Sequence, residues 1–241
     1  MASYLPSKSL LTLRHLKDAR LRLLGRPHEA DFEPLRKLAI AMPVVVDVGA
    51  NRGQSIESFR CVLAKPVIHA FEPNPVLSDG LKRRYPGVRV YAVGLGRATG
   101  ELCLFVPRYG YTFWDTRASL DFSMARSFLK GEHFACFNER RAAVEELRVP
   151  IIRLDDLALT PNILKIDAEG MEASVLEGAF VTLESEPVVI TEGCSDAVMQ
   201  ILSPLGYAPY RAEGTKIVAG SGGLNTYFLK HHHHELFLDE A

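Results

Sequence analysis

From residue 43 onward, short runs of aliphatic residues alternate with amphipathic stretches. Val44, Val45, Val46 and Val48 form a β-branched run broken only by Asp47, the pattern of a strand covered on both faces of a parallel sheet. Gly49-Ala50-Asn51-Arg52-Gly53 ends that run, and the spacing from Gln54 to Leu63 predicts a helix. Val67 to Phe71 is a second strand, stopped by Glu72-Pro73-Asn74-Pro75, and a helix carrying Leu77, Leu81 and Tyr85 follows. Val88 to Val93 is a third strand. Later, Val149 to Leu154, Ile163 to Ile166 and Val188 to Thr191 read as strands, with helices over Met171 to Ala179 and Ala197 to Leu202. Tyr207 to Arg211 and Thr226 to Leu229 read as a closing hairpin, with Gly220 to Gly223 in its turn. Strands alternating with helices predict βαβ units and a doubly wound α/β fold. In such a fold the loops at the carboxyl edge of the sheet form the site.

Two stretches depart from this rhythm. Residues 1–42 read as a separate helical segment. Leu10, Leu11, Leu13, Leu16, Leu21, Leu23 and Leu24 lie between basic residues, Gly25-Arg26-Pro27 is a stop, and a second short helix spans Asp31 to Ala41. This segment is read either as a lid over the site or as a helix packed on the sheet edge. Residues 43–230 form the main domain. Within it, Gly100 to Val106 alternates like an extra strand, and about 107–146 is an irregular insertion rich in aromatic and charged residues. An insertion of that length suits a substrate loop. Residues 231–241 form a tail that opens with His231 to His234, read as solvated rather than metal-binding.

Composition narrows the class. At 241 residues, 47% hydrophobic and 24% charged, the chain has the make-up of one globular domain with a full core. A formal net charge of -1 lacks the basic footprint of a nucleic-acid binder. No apolar run is long enough for a membrane span, and the first 26 residues lack the apolar core of a signal peptide. Cys61, Cys103, Cys136 and Cys194 form no CxxC pair, so they are read as free, mostly buried thiols. Together these features predict a soluble, cytoplasmic protein.

The chemistry begins at Val46-Asp47-Val48-Gly49-Ala50-Asn51-Arg52-Gly53. Gly49 and Gly53 let the backbone turn sharply from strand to helix, and the amides of the helix N-terminus suit an anionic group. The spacing is not the G-x-G-x-x-G of dinucleotide enzymes. One glycine pair suffices for an amino-acid carboxylate and ammonium, and Asp47 supplies an acceptor for the ammonium. Glu72 ends the second strand roughly 20 residues past the loop, the place of an acid that accepts from ribose hydroxyls. An amino-acid site joined to a ribose site predicts S-adenosylmethionine (SAM).

These residues resemble the FkbM family of SAM-dependent methyltransferases. The resemblance runs from about Val44 to Glu192. It is carried by the glycine loop, Phe71-Glu72-Pro73-Asn74-Pro75, Ala92-Val93-Gly94, Ser119-Leu120 and Leu154-Asp155-Asp156-Leu157, then by Lys165-Ile166-Asp167-Ala168-Glu169-Gly170-Met171-Glu172 and Glu192. A weaker match lies at Asn225-Thr226-Tyr227-Phe228. It implies a Rossmann-like class I methyltransferase, with a seven-stranded, mostly parallel sheet whose last strand is antiparallel. It implies O-methylation of a saccharide, glycolipid or polyketide-like metabolite. The implied cofactor-binding residues are Asp47, Gly49, Ala50, Asn51, Gly53, Glu72, Pro73, Val93 and Asp167.

An alcohol acceptor gains from a base that takes its proton as the new bond forms. Asp167 and Glu169, with Glu192 as a third candidate, are the carboxylates expected at the carboxyl edge. Lys165 is read as an ion-pair partner for one of them, Glu172 as an acid in the first turn of a helix, and His69 as a packed histidine. His133, Trp114 and Ser119 are the candidate acceptor-binding residues. Trp114, with Tyr109, Tyr111 and Phe113, fits a sugar-stacking face and a local hydrophobic cluster equally well. Paired carboxylates also admit Mg²⁺, although the sequence offers no full ligand set. Two other readings compete: a SAM-binding protein without turnover, and a nicotinamide-dependent oxidoreductase, which the missing G-x-G-x-x-G disfavours.

Overall fold

A computed structural model of the chain describes residue 21 and residues 24–38, 40–134 and 137–237. Most of the helix expected before residue 25, Cys136 and residues 238–241 of the tail lie outside the described residues. Among those described, no helix is long and apolar enough to cross a membrane.

Eight strands form the main sheet. They are β1 (Val44–Val48), β2 (Val67–Phe71), β3 (Arg89–Tyr91), β8 (Ile163–Ile166), β9 (Val188–Glu192), β10 (Ala208–Glu213), β11 (Lys216–Ala219) and β12 (Asn225–Leu229). Their order is β11-β10-β12-β9-β8-β1-β2-β3. The pairs from β3 to β9 are parallel, and β12 runs antiparallel to both β9 and β10. Seven of these strands give the sheet expected of a class I methyltransferase. β11 is the eighth. The segment expected to be plain turn between β10 and β12 first doubles back as a hairpin on the outer side of β10, through Gly214 at φ +62°.

The central strands alternate between two cores. Val45, Ile163, Val188, Ile190 and Tyr227 face one side, against α1 (Gln54–Val62), α2 (Pro75–Arg84) and a 3₁₀ helix at Ala30–Lys37. Val46, Leu164, Ile166, Val189 and Phe228 face the other, against α4 (Glu172–Glu177), α5 (Phe180–Leu183) and α6 (Asp196–Leu202). Burial on both faces is what the unbroken aliphatic runs require. The 3₁₀ helix buries Phe32 and Leu35 fully, and Tyr227 donates its hydroxyl to Asp31 O. Residues 30–37 are thus packed on the sheet.

Between β3 and β8 the chain builds a second sheet, ordered β4-β7-β5-β6, from β4 (Gly94–Leu95), β5 (Gly100–Tyr109), β6 (Thr112–Phe113) and β7 (Ala142–Ile152). β5 and β7 pair antiparallel from Gly100↔Ile151 to Tyr109↔Ala142. Of the stretch read as irregular, only 107–109, 112–113 and 142–146 are strand, and the other described residues form short helices, turns and loops at the end of this ribbon. Its tip carries α3 (Phe122–Ser127) and an aromatic cluster. Trp114 meets Phe128 and Phe134 at 5.2 and 5.7 Å, Tyr109 stacks on Phe134 at 4.3 Å, and His133 stacks on Phe128 at 4.9 Å.

The histidine tract is not a solvated tail throughout. It forms a 3₁₀ turn at His231–His233 leading into α7 (His234–Phe237), with His233 and Phe237 buried. Cys61, Cys103 and Cys194 are free thiols, half-buried rather than buried.

Candidate active site

The end of β1 is drawn over its neighbours by backbone bonds. Gly49 and Ala50 both donate to Phe71 O, at 2.9 and 3.1 Å. Gly49 sits at φ +77°, and a Cβ there would stand 1.8 Å from Asp167 O at the end of β8. Only glycine permits this three-way meeting of strand ends. Gly53, at φ +88°, caps α1, and a Cβ there would press on the Tyr85 ring at 2.5 Å.

Glu72 is the hub of the loop. Its Oε2 accepts the Asn51 N–H and its Oε1 the Asn74 N–H, both at 2.8 Å. Burial pushes its pKa up to about 7, and the two amides only partly oppose this. Asn74 is itself buried. Its Oδ1 accepts Val76 N–H, capping α2, and its Nδ2 donates to Asp115 Oδ1 at 3.0 Å. Asp115 belongs to a 3₁₀ turn, Asp115–Arg117, carried by the inserted ribbon. One amide side chain thus ties the insertion to the loop after β2.

Behind the loop lies a buried ionic row. Asp47 is fully buried, accepts Ser55 Oγ at 2.6 Å and lies 3.7 Å from Lys165 Nζ. Lys165 Nζ also donates to Asp167 Oδ2 at 3.0 Å. Burial works against the ammonium, but Asp47, Asp167 and Glu29 together raise its pKa. Burial raises Asp47 as well, against the pull of Lys165 and Ser55.

At the carboxyl edge, Asp167 and Glu192 share a hydrogen bond. Burial first, then that bond and the charge of Asp167, push Glu192 to about 7. Glu169 stands exposed beside them at φ +51°, followed by Gly170 at φ +90°. Its pKa is raised by partial desolvation from the cleft wall and by the charge of Asp167, with Arg117 opposing. Glu172 Oε1 accepts the N–H groups of Ala168 and Gly170, so it braces this turn as well as opening α4.

A cleft of about 250 Å³ joins these parts. Of the sequence-predicted residues, Gly49, Asn51, Glu72, Pro73, Asp167, Glu169, Glu192 and Ser119 line it. Asp47, Ala50, Gly53, Val93, Trp114 and His133 are not among its lining residues. Asp47 and Ala50 are buried behind the loop and Val93 packs on the second core, while Trp114 and His133 belong to the aromatic cluster at the ribbon tip. Sequence reasoning missed Asn74 and Asp115, and also the apolar wall of Leu102, Leu104, Val149 and Ile151. The alternation in β5 marked the leucines. Nothing local marked Asp115.

The residues present fit SAM. Both oxygens of Glu72 are fixed by amides while the carboxylate lines the cleft, which leaves lone pairs for ribose hydroxyls. Asn51, also on the wall, has a buried Oδ1 with no hydrogen-bond partner, an acceptor awaiting a donor. His69 hydrogen-bonds Tyr91 Oη at 3.1 Å inside the sheet, remote in role from this wall. Among the described residues, no group of three or more His, Cys, Asp or Glu side chains is arranged to hold a metal ion.

Strand order and a glycine loop facing an acid at the next strand end define a class I methyltransferase domain. The chain belongs to the FkbM family: the model for the methyltransferase FkbM domain matches residues 47–228. The hexuronic acid methyltransferase AglP of Haloferax volcanii is 30% identical over 154 residues, covering 62% of this chain and 55% of that protein. The chain thus spans about half the length of this curated relative. Among solved structures, a TehB-like SAM-dependent methyltransferase from Corynebacterium glutamicum is 11% identical, covering 94% of this chain and 100% of that one at a TM-score of 0.44. A precorrin-6y C5,15-methyltransferase from Geobacter metallireducens is 18% identical, covering 81% and 82% at 0.39.

Proposed function

We propose that the chain transfers a methyl group from SAM to a hydroxyl oxygen of a saccharide or a similar polyol. The observation that carries this is one cleft lined at one end by the amide-fixed Glu72 and at the other by the Asp167–Glu192 carboxyl pair. The hexuronic acid named for the relative supports a sugar as acceptor.

Methyl transfer is an in-line displacement. The acceptor oxygen bonds the methyl carbon as the sulfur–carbon bond breaks, the sulfonium becomes the thioether of S-adenosylhomocysteine, and the hydroxyl loses its proton. Much of the acceleration comes from alignment of the two reactants. In this reading Glu72 and Asn51 hold the ribose and amino-acid portions. The Asp167–Glu192 pair takes the hydroxyl proton, and its raised pKa matches a base working near neutrality. Lys165 keeps Asp167 oriented through its 3.0 Å bond. Ser119 and Thr116 on the cleft wall offer hydroxyls that can orient the acceptor.

The test has two arms. Calorimetric titration with S-adenosylhomocysteine should show micromolar binding that Glu72→Ala weakens at least about tenfold, the scale of a lost buried hydrogen-bond pair. Labelled methyl from SAM should then appear in a glycoside acceptor. Binding without transfer to any hydroxylated acceptor would favour a SAM-binding protein without turnover. Binding of NAD in place of S-adenosylhomocysteine would sink both readings.

A further inference from the structure

Four polar side chains share one face of the sheet at its carboxyl end. Val45, Ile163, Ile190 and Tyr227 point into the first core. Side chains alternate along a strand, so Asp47, Lys165, Glu192 and Asn225, each two residues away from one of these, stand on that same face. The register places Asp47 opposite Lys165 and Asn225 opposite Glu192. A polar row therefore runs from β1 through β8 and β9 to β12.

A fifth side chain reaches this row from ahead of the domain. Glu29 precedes residues 47–228, the part that the family model matches. It is fixed from two sides. Ser58 Oγ, on α1, accepts the His28 and Glu29 N–H groups at 3.0 and 3.3 Å and donates to Gln54 O at 3.0 Å. On the other side, Asn225 Nδ2 donates to Glu29 Oε2 at 3.1 Å, and the Asn225 N–H donates to Asp31 Oδ2 at 3.0 Å. Residues 28–31 thus bridge α1 to β12 across the strands between them.

The charges around the row give this bridge a consequence. Lys165 Nζ stands 3.7 Å from Asp47 Oδ1 and 3.0 Å from Asp167 Oδ2, and the Glu29 carboxylate acts on it as a third acid. Asp167 in turn bonds Glu192, with Glu169 beside them. Burial raises the pKa of Glu29, while Lys165 and the Asn225 amide draw it back. A lysine shared among three acids draws less on any one of them. An Asp167 held by an undivided Lys165 would be a poorer proton acceptor, and so would the Glu192 bonded to it.

We propose that Glu29 is a positioning residue for the Asp167–Glu192 pair: its carboxylate, held at the row by Ser58 and Asn225, takes up part of the Lys165 charge and so leaves the pair free to accept a hydroxyl proton. This deepens the methyl-transfer reading and rests on it. Glu29 is not among the residues lining the cleft, so it acts through Lys165 and not on the acceptor. Loss of its charge has one direction. It removes a negative neighbour and leaves more of the Lys165 charge to Asp167, and both changes favour the ionised form of the pair.

The experiment reads the titration of the pair directly. Side-chain carboxyl carbons are labelled with ¹³C in the full chain, Glu192→Gln assigns the Glu192 resonance, and its midpoint is followed by NMR from pH 5 to 9. Wild type should titrate at about 7. Glu29→Gln keeps an oxygen to accept from Asn225 and loses only the charge, and it should lower the midpoint by about half a unit or more. Glu29→Asp, which keeps a charge, should lie nearer wild type. Glu33→Gln is the control. Glu33 sits on the same segment but pairs with Arg36 at 2.6 Å, and its loss should leave the midpoint in place. The pH profile of kcat at saturating substrates should move in Glu29→Gln by the same amount and in the same direction. An unmoved midpoint in Glu29→Gln, or an equal shift in Glu33→Gln, would overturn the proposal and leave residues 28–31 a purely structural bridge. Absence of transfer to every acceptor would instead overturn the methyl-transfer reading, and the NMR titration, which needs no turnover, would still decide the role of Glu29.

Discussion

Asn51 donates its backbone N–H to Glu72 Oε2 at 2.8 Å, which locks the loop after β1 to the acid after β2. The carboxylate is thereby aimed before any ligand arrives. It is also uncomfortable: burial holds its pKa near 7, from an ordinary 4.5. The sign follows from linkage. A carboxyl whose folded pKa is raised supports stability below its unfolded pKa and loses that support as pH rises through the folded value. Wild type should therefore lose stability relative to Glu72→Gln between about pH 4.5 and 7, by on the order of 3 kcal/mol at most. Chemical denaturation of both proteins at pH 5 and pH 8 reads this directly. Affinity for S-adenosylhomocysteine should change the opposite way, strengthening as pH rises through about 7, because the ionised form is the better acceptor for ribose hydroxyls. A pH-independent affinity would remove Glu72 from the ribose site.

The glycine loop makes a sharper structural prediction. Gly49→Ala places a methyl 1.8 Å from Asp167 O at φ +77°, with backbone on both sides and nothing flexible to yield. It should cost at least about 3 kcal/mol, combining left-handed strain with overpacking. Gly170→Ala is the control. It has φ +90° but open space around the added methyl, so strain alone should cost about 1–2 kcal/mol. Equal melting temperatures for the two variants would contradict the close crossing of β1 and β8.

The pair of residues at the carboxyl edge predicts a pH profile. Glu192 is pushed up to about 7 beside Asp167, so kcat at saturating SAM and acceptor, which excludes the effect of Glu72 on binding, should rise with pH through about 7 and then level. Glu192→Gln should abolish this rise and lower kcat by about 100-fold, the lower range for loss of an acid–base group. Affinity for S-adenosylhomocysteine should be unaltered. A Glu192→Gln variant that keeps the profile would move the proton-accepting role to Glu169.

What the sequence disclosed follows from how local each signal is. Val44 to Val48 and Ile163 to Ile166 were legible because strands buried on both faces leave unbroken aliphatic runs. Gly49, Glu72 and Asp167 were legible because each sits at a strand end, where the fold puts its chemistry. The β5–β7 ribbon was only half legible. The leucines of Gly100 to Val106 alternate, but Ala142-Ala143 and Glu145-Glu146 blur the period of its partner strand. Asp115 was not legible at all, because its importance comes from Asn74, 41 residues away in sequence. Trp114 and His133 show the converse. Their types suit sugar binding, yet their rings are spent on Phe128 and Phe134.

Lys165 tests how far the buried row matters. It sits 2% exposed between Asp47 and Asp167. Lys165→Met leaves Asp47 buried without a counter-charge and should cost roughly 3–5 kcal/mol. Adding Asp47→Asn removes the orphaned charge and should recover part of that loss, a coupling read by a double-mutant cycle. If the two losses simply add, the ion pair contributes nothing.

His233 Nδ1 accepts the Lys230 N–H at 3.0 Å, which fixes the proton on Nε2, and Nε2 donates to Glu186 O at 2.9 Å. This is a complete set of bonds for a neutral ring, and a second proton on Nδ1 would face the Lys230 donor. Burial leads, His232 adds to it, and the pKa falls to about 4 from an ordinary 6.5. A histidine buried neutral supports stability above its unfolded pKa and loses that support as pH falls. Wild type should therefore weaken relative to His233→Gln between about pH 6.5 and 4, by up to roughly 3 kcal/mol. Glu72 pulls the other way over part of this range, so the comparison must be made against the variant and not from the wild-type curve alone. His231→Gln, at an exposed position, should show no such pH dependence. If both variants behave alike, the turn at His231–His233 does not anchor the C-terminal segment to Glu186.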